Sequence, residues 1–475
     1  MNQIRTIFNN ISWLVISQII TSICAFVWTI LIARYLGVNE YGIFGFAVSL
    51  TGIFGITMDL GISTHIIRSI ATDNDLASKY LGNAIPLKSL LSASSFILIL
   101  TLLIVLGYNQ FVIFITLLFT IETIFRQMYG LFFGSFQAFE KTKYQSISNT
   151  ILSILSLIFI LIAVFTNLGL VGISMAYLIA NLFVLIYSYL ALKKHIAIPK
   201  FEFDKAFSKK LIVFGIPFAL SVIFYTIYYS IDIIMLSQLV GDYATGIYNA
   251  TYKLINFLTL FYSIYTAVVF PVMSKLFKNN KNILRVSFEK SVKYLLMVTL
   301  PISVFCVYYS TEIITLAYGN QYLMADSVLQ ILIWTVCFLF VNGACSILLN
   351  ASHREVSVTK IYGIAALFNV VLNLFLIPHY SFIGAAVATV LSEVLILVLA
   401  FYTLRSIDQL PNKHLYFDIV KIIFASLILA IILQFTNISL LIAIPVSIIV
   451  YLVAILFVKI LDKDDKYIIK QIIGK

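Results

Sequence analysis

Long apolar runs are the feature that most limits what this chain can fold into. They recur along almost all of its 475 residues, and many are longer than about 20 residues. Hydrophobic residues make up 61% of the chain and charged residues only 11%, whereas soluble domains average about 25% charged residues. A soluble enzyme, a secreted disulfide scaffold and a disordered chain are therefore excluded. A β-barrel is excluded as well, because barrel strands alternate polar and apolar residues.

The runs predict an all-α polytopic membrane protein with about 14 transmembrane helices, since about 20 apolar residues cross the hydrocarbon core. The expected spans are residues 11–36, 41–64, 81–107, 111–134, 146–166, 168–192, 209–236, 246–273, 287–310, 327–350, 359–377, 382–404, 416–435 and 438–460.

Basic residues predict the orientation of these spans. With the N-terminus inside, all but two of the 31 Lys and Arg residues fall in or beside cytoplasmic segments. The exceptions are Arg34, which lies outside, and Lys253, which lies within a span. Because Lys and Arg accumulate on the cytoplasmic side, we expect a multi-pass protein of the cytoplasmic membrane with both termini inside. The net charge of +11 is interpreted as this bias, and no nucleic acid partner is expected.

Two pairs of similar segments indicate an internal duplication. GVNEYGIF at 37–44 matches GDYATGIY at 241–248, and VGISMA at 171–176 matches IGAAVA at 383–388. The similar offsets predict two six-helix lobes in parallel repeat, because an even number of spans preserves orientation. The expected division is an N-terminal lobe at 1–192, a basic cytoplasmic linker at 193–209, a C-terminal lobe at 210–404, and two extra helices with a basic tail at 405–475. Membrane lipids are expected partners, and the linker could contact anionic headgroups.

Small residues repeat at helical spacing in the second pair of segments. They are Gly172, Ala176 and Ala180, and Gly384, Ala388 and Ser392. Small residues allow helices to approach closely in lipid, so we expect these stripes to pack helices.

Charged residues inside the spans are the candidates for transport. A charge at mid-bilayer costs about 2.5–3.5 kcal/mol on insertion scales, so it is expected to face protein, water or substrate. The deep candidates are Asp59, Glu122, Arg126, Asp232, Lys253 and Glu393, while Arg34, Arg68 and Lys88 lie nearer the span ends.

Helical spacing suggests partners for several of these charges. Glu122 and Arg126 stand four residues apart, and they could form either a structural ion pair or part of a polar cavity. Asp232 and Lys253 lie on spans joined by a short loop, so they could also pair. Polar stripes accompany these two residues, formed by Tyr225, Tyr229 and Asp232 and by Asn249, Lys253 and Asn256.

The sequence offers little to support an enzyme. The four cysteines and five histidines lack metal-site spacing, and no nucleotide-binding loop or nucleophile elbow is present. The Asp462-Lys463-Asp464 triplet has metal-binding spacing, but it lies in a charged segment and is interpreted as a solvated loop. We therefore expect no catalytic residue, metal or cofactor. A membrane glycosyltransferase is the enzyme alternative, and its acceptor-elongating activity would have to be measured.

Several short motifs occur in a characteristic order. They are ARYLGVNEYG at 33–42, DLGIS at 59–63 followed by Arg68, GIPF at 215–218, IDIIML at 231–236, GIY at 246–248 followed by Lys253, FP at 270–271, IP at 377–378, and IGAAVAT at 383–389 followed by Glu393. In this series the chain resembles the polysaccharide transporter family of the MOP superfamily, which includes the Wzx oligosaccharide flippases.

The resemblance implies a function and roles for matched residues. It implies a flippase that turns an undecaprenyl- or dolichyl-diphosphate oligosaccharide to the outer face by alternating access. Arg34, Arg68 and Lys253 would be cavity or gate cations, and Asp59 and Asp232 their acidic partners. A MATE-like multidrug exporter coupled to H⁺ or Na⁺ is the alternative on the same scaffold.

Overall fold

The computed structural model describes residues 2–196, 198–279, 281–436, 438–462 and 465. Within those ranges the chain is helical, with short turns and no β-strand. The α-helices are α1 (Asn2–Asp59), α2 (Ile62–Thr72), α3 (Ala77–Val105), α4 (Gln110–Ala138), α5 (Thr142–Phe165), α6 (Gly169–His195), α7 (Lys205–Leu239), α8 (Asp242–Asn279), α9 (Lys281–Tyr308), α10 (Ser310–Tyr318), α11 (Ala325–Leu332), α12 (Trp334–Ala351), α13 (Glu355–Ser406), α14 (Lys413–Phe435) and α15 (Leu440–Val458).

Two of these helices are about twice as long as one membrane span. Helix α1 has 58 residues and is interrupted at Gly37, where φ is 72° and ψ is 177°. Helix α13 has 52 residues and is interrupted at Ser381, where φ is 51° and ψ is −134°. Both interruptions fall between predicted spans, so each long helix holds two spans joined without a loop.

The span count agrees with the predicted fold class. Eleven helices of the described chain are long and apolar enough to cross a membrane, and the bent pair Asp242–Ser263 and Val268–Lys278 makes up to 12. Counting α1 and α13 as two spans each brings the total to 14. The chain is thus an all-α, multi-pass membrane protein, as predicted.

Some predicted boundaries differ from the structure. The second span was expected to run to residue 64, but α1 ends at Asp59. The helix is interrupted there by Leu60 (φ 47°) and Gly61 (φ 74°) before α2 begins. A left-handed residue such as this glycine cannot continue a right-handed helix, so the span stops early. The expected loop at 310–327 is also partly helical, because it contains α10.

The first compact unit, Met1–Asn249, is organised around α1. This helix contacts α3, α4, α5, α6 and α7. A buried apolar cluster packs α2, α3, α4 and α6 together and includes Ile66, Leu81, Phe136 and Leu192. The stripe of Gly172, Ala176 and Ala180 is buried in α6, as its predicted packing role requires.

The second compact unit, Ala250–Lys475, contains α9 to α15. Helix α9 contacts α12 and α14, α12 contacts α13, and α14 contacts α15. The C-terminal pair packs its buried side on α9, whereas Phe435, Leu441 and Phe457 are at least 75% exposed. Such a surface suits lipid and would be a liability in water.

The lobe and linker boundaries inferred from the internal repeat stay predictions. The stripe of Gly384, Ala388 and Ser392 is buried in α13, which fits helix packing in the second copy. Most of the predicted basic tail, residues 463–464 and 466–475, lies outside the described residues.

Candidate transport site

A buried lysine holds the carboxylate at the end of α1. Lys88 on α3 is completely buried, and its Nζ lies 2.5 Å from Oδ1 of Asp59. The same ammonium donates to the Ser63 hydroxyl at 3.0 Å and to the Gln127 carbonyl at 2.7 Å. Ser63 Oγ also donates to Asp59 at 2.5 Å. This cluster ties α1, α2, α3 and α4 together, so Asp59 is already neutralised by a residue that was expected only near a span end.

The predicted pair on α4 is confirmed. Arg126 Nε lies 3.9 Å from Glu122 Oε1, and Thr123 links the two side chains. Its hydroxyl donates to Glu122 at 3.2 Å and accepts from Arg126 at 3.1 Å. The glutamate is buried, but 43% of the Arg126 side chain is exposed. One face of this guanidinium is therefore available for another contact.

Asp232 is bound by a tyrosine from the next helix. The carboxylate is buried, and it accepts a hydrogen bond of 2.6 Å from the Tyr248 hydroxyl. Tyr248 is completely buried and belongs to the repeated GIY motif. This tyrosine was not among the predicted site residues, although it belongs to one of the motifs. The predicted pairing of Asp232 with Lys253 joins residues of the two compact units and stays a prediction.

The other candidate cations lie in different settings. Arg34 lies three residues before the interruption at Gly37, and both Arg34 and Arg68 are exposed. Lys253 on α8 is partly buried. Within the described part of the second unit it forms no ion pair.

The second unit holds a buried carboxylate and buried amides. Asn342 on α12 donates to the Glu393 backbone carbonyl at 2.9 Å and to its Oε2 at 2.7 Å. On α13, Asn373 donates to Asn369 Oδ1 at 3.0 Å, and both are completely buried. These amides were not selected from the sequence, although Asn spaced by four residues in an apolar span was the available signal.

The two copies of the repeated turn contact each other through glycine. A Cβ built on Gly42 would overlap the backbone oxygen of Asp242, and one built on Gly246 would overlap the backbone oxygen of Val38. These residues are equivalent in the two copies, so the contact is reciprocal. Only glycine permits backbones to approach this closely.

A second mutual contact lies at the turn that follows α1. A Cβ on Gly61 would overlap the Gly215 carbonyl, and one on Gly215 would overlap the Leu60 carbonyl. Between Gly42 and its last residue, Asp59, α1 rises about 26 Å at 1.5 Å per residue. That is close to the hydrocarbon thickness, so the contacts of α1 with α7 and α8 lie near opposite membrane faces.

An ion-pair cluster fixes the chain that follows α15. Lys293 on α9 lies 2.6 Å from Asp465 and 3.0 Å from Asp418 of α14. Lys290 lies 2.5 Å from both Asp462 and Asp465. Asp462 is exposed, as expected for a solvated segment, and it also pairs with lysine, whereas Lys463 and Asp464 lie outside the described residues. No group of His, Cys, Asp or Glu in the described part of the chain could hold a metal ion.

The lysines of this cluster lower the pKa values of Asp462 and Asp465. Burial alone would raise the pKa of Asp465, but hydrogen bonds from Lys290, Lys293 and Tyr294 outweigh it and hold that pKa below its ordinary value. The pKa of Asp462 is lowered too, since bonds from Lys290 and the Asp465 backbone outweigh its partial burial.

Interrupted helices and ionic side chains within the spans are typical of a multi-pass membrane protein of the transporter type. Comparison with known proteins agrees. The chain belongs to the family described as polysaccharide biosynthesis protein, whose profile matches residues 7–277. The profile described as MatE matches residues 217–375. The predicted resemblance to polysaccharide transporters of the MOP superfamily is confirmed.

Relatives and a solved structure extend this result. An uncharacterised membrane protein of Methanocaldococcus jannaschii, MJ1068, is 32% identical over 50% of this chain and 49% of its own length. The capsular polysaccharide biosynthesis protein CapF of Staphylococcus aureus is 23% identical over 84% of this chain and 99% of its own length. The lipid II flippase MurJ, in an inward closed conformation, has the same fold with a TM-score of 0.78 and 19% identity, covering 94% of this chain and 98% of MurJ.

Proposed function

We propose that this protein turns a polyprenyl-diphosphate-linked oligosaccharide from the cytoplasmic to the outer face of the cytoplasmic membrane. The observation that carries the proposal is the pair of mutual glycine contacts that flank residues 42–59 of α1. Backbone contacts of this kind can separate and form again, because their separation leaves no buried side chain without its partner. CapF and MurJ, named for polysaccharide biosynthesis and lipid II flipping, support the substrate class.

The free-energy barrier that such a protein must lower is large. Burying one unpaired hydroxyl in hydrocarbon costs about 2–7 kcal/mol. A glycan carries many hydroxyls and the diphosphate adds charge, so spontaneous flipping is negligible. A polar route through the protein removes most of that barrier while the prenyl chain stays in lipid.

The candidate residues divide between cargo binding and structure. Arg34, Arg68 and Lys253 are proposed to bind the diphosphate, since cationic hydrogen-bond donors suit phosphate oxygens. The exposed face of Arg126 is available for the same purpose. Asp59 is instead assigned to structure, because Lys88 already neutralises it.

The buried acids are proposed to take part in coupling. Asp232 and Glu393 lie in the spans with hydroxyl and amide partners. Carboxylates in this setting suit an H⁺ or Na⁺ that enters and leaves during the cycle. We also propose that both termini are cytoplasmic, from the lysine and arginine bias, and that the protein performs no catalysis.

Flipping in proteoliposomes tests the function. The probe is undecaprenyl diphosphate carrying a fluorescently labelled disaccharide, and a membrane-impermeant reductant bleaches only the outer leaflet. We expect the protected fraction to fall well below half in vesicles that contain the protein. Arg34→Ala and Lys253→Ala should slow this fall about tenfold or more at equal protein content. Bleaching identical to that of protein-free vesicles would contradict the function.

The second candidate is a MATE-like multidrug exporter, favoured by the profile match at 217–375. That match is shorter than the polysaccharide match, and Asp59 is not a free acid for cation coupling. Expression in a drug-sensitive host distinguishes the two functions. We expect unchanged resistance to cationic dyes, whereas a clear rise in resistance would support the exporter.

A further inference from the structure

Asn249 is a buried amide whose hydrogen-bonding groups are unused. It lies on α8, one helical turn after Gly246, and its exposed fraction is 0%. Neither Nδ2 nor Oδ1 has a hydrogen-bond partner among the described residues. An amide buried in this way loses its bonds to water and gains none in return. A leucine of similar shape would avoid that cost, so the amide needs another explanation.

The neighbouring helix makes room for this amide. Gly45 on α1 faces it, and a Cβ built on Gly45 would lie 2.5 Å from Nδ2 of Asn249. Gly45 and Asn249 are equivalent in the two copies of the repeat, since each follows the first glycine of its motif by eight residues. One copy thus provides a side chain and the other provides the space for it. Both residues lie one turn inside the Gly42–Gly246 contact.

We propose that Asn249 is a sugar-binding residue, covered while Gly42 and Gly246 touch and presented to the cargo when they separate. This inference rests on the proposed function. An amide offers donors and an acceptor together, which matches a sugar hydroxyl, itself a donor and an acceptor. The group is neutral, so it suits the glycan better than the diphosphate. Four residues further along α8 stands Lys253, a cation proposed to bind phosphate.

Thermal stability gives the first test. Asn249→Leu removes an unused polar group, so we expect the melting temperature of the purified protein to rise by about 1–3 °C. The matched control is Asn181→Leu, another buried asparagine. Asn181 accepts from Tyr129 at 3.0 Å and donates to the Tyr177 carbonyl at 2.9 Å. Its replacement should lower the melting temperature. If Asn249→Leu lowers it equally, the amide is satisfied in the closed state and the proposal fails.

Ligand binding gives the second test. The probes are undecaprenyl diphosphate and undecaprenyl diphosphate carrying a disaccharide, measured by native mass spectrometry. In the unchanged protein we expect the disaccharide to strengthen binding. Asn249→Leu should remove most of that gain, about tenfold, while binding of the bare diphosphate stays the same. Asn249→Ser, which replaces the amide with a single hydroxyl, should retain part of the gain.

The outcomes separate this inference from the proposed function. If the unchanged protein flips the disaccharide lipid and Asn249→Leu flips it equally with the same preference, only the assignment of Asn249 is wrong. If the unchanged protein neither binds nor flips the probe, both are wrong. An Asn249→Leu variant that is more stable, flips at least tenfold more slowly and loses its preference for the disaccharide would establish the residue as a cargo contact.

Discussion

Two lysines within the spans are held in opposite ways. Lys88 is completely buried and donates to a carboxylate, a hydroxyl and a carbonyl. Lys253 is partly buried and has no ion pair within the described part of the second unit. Both carry the same charge into an apolar helix, so composition cannot distinguish them. The contacts of Lys88 join four helices, whereas Lys253 is the lysine that we propose to bind the cargo.

Two other regions of the molecule differ in the chemistry of their contacts. The chain after α15 is fixed by two lysines and three acids, whereas α1 meets α7 and α8 through glycine and backbone. Charge clusters resist separation because each ion left alone would be buried without a partner. Glycine contacts carry no such penalty. The two regions are thus joined by different chemistry, and only the glycine contacts are proposed to separate during transport.

The largest expected effect is that of Lys88→Met. It leaves the Asp59 carboxylate without its cation, and breaking a buried pair costs about 3–5 kcal/mol. We expect a strongly lowered melting temperature and poor membrane expression. The double variant Lys88→Met/Asp59→Leu removes both charges and should recover most of the loss. If the double variant is no better than the single one, the pair is not the source of the stability.

The next effect is that of Asp465→Asn, which removes the central acid of the α9 cluster. Hydrogen bonds to charged groups contribute about 1.5–3 kcal/mol each, and we expect a loss of that size in thermal unfolding. The matched control is Asp408→Asn, whose side chain is fully exposed and, among the described residues, pairs with Arg285 at 3.4 Å. The control should leave the melting temperature nearly unchanged.

The same cluster predicts a pH dependence. The pKa of Asp465 is lower in the folded protein than in an unfolded chain. Its contribution to the stability is therefore present above the ordinary aspartate pKa of about 4 and is lost as the pH falls through the lowered value. We expect the melting temperature to drop below about pH 4, and the drop to be smaller in Asp465→Asn. Equal pH profiles for both proteins would show that other acids dominate.

A smaller effect is expected for Tyr248→Phe. The substitution removes the 2.6 Å hydrogen bond to Asp232 and little apolar contact, so the free energy of unfolding should fall by about 1–1.5 kcal/mol. Tyr243→Phe, at an exposed position on the same helix, is the control. Because Asp232 is proposed to exchange a cation, Tyr248→Phe should also shift the pH dependence of flipping. A stability change without any such shift would mean that the tyrosine stabilises the fold but takes no part in cation exchange.

The smallest effect on stability is expected for Lys253→Met, the same substitution as in the Lys88 variant. No described partner is lost, so the free energy of unfolding should change by less than about 0.5 kcal/mol. Flipping should nevertheless slow about tenfold or more. A destabilisation like that of Lys88→Met would mean that the two lysines are equivalent and that the comparison is wrong.

Much of the fold could be predicted from the sequence because lipid imposes a simple rule on length and hydropathy. The 14 spans and the helix break at Gly37 follow from apolar runs and glycine alone. The Glu122–Arg126 pair was predictable too, since i,i+4 spacing is set by the helix itself.

The remaining contacts depend on how distant segments pack. Lys88 and Asp59 are 29 residues apart and meet only after α1 and α3 are placed side by side. Asp465 meets Lys293 across 172 residues, and nothing local in the charged C-terminal segment indicates that lysine. The unused amide of Asn249 is visible only when its surroundings are known, although the polar stripe on α8 drew attention to it.

The reciprocal contact of Gly42 and Gly246 resembles the isologous interface of a homodimer, in which the same patch serves both partners. Each copy offers a glycine and a backbone oxygen to the other. Asn249 opposite Gly45 departs from this symmetry, because one copy carries a side chain where the other carries none.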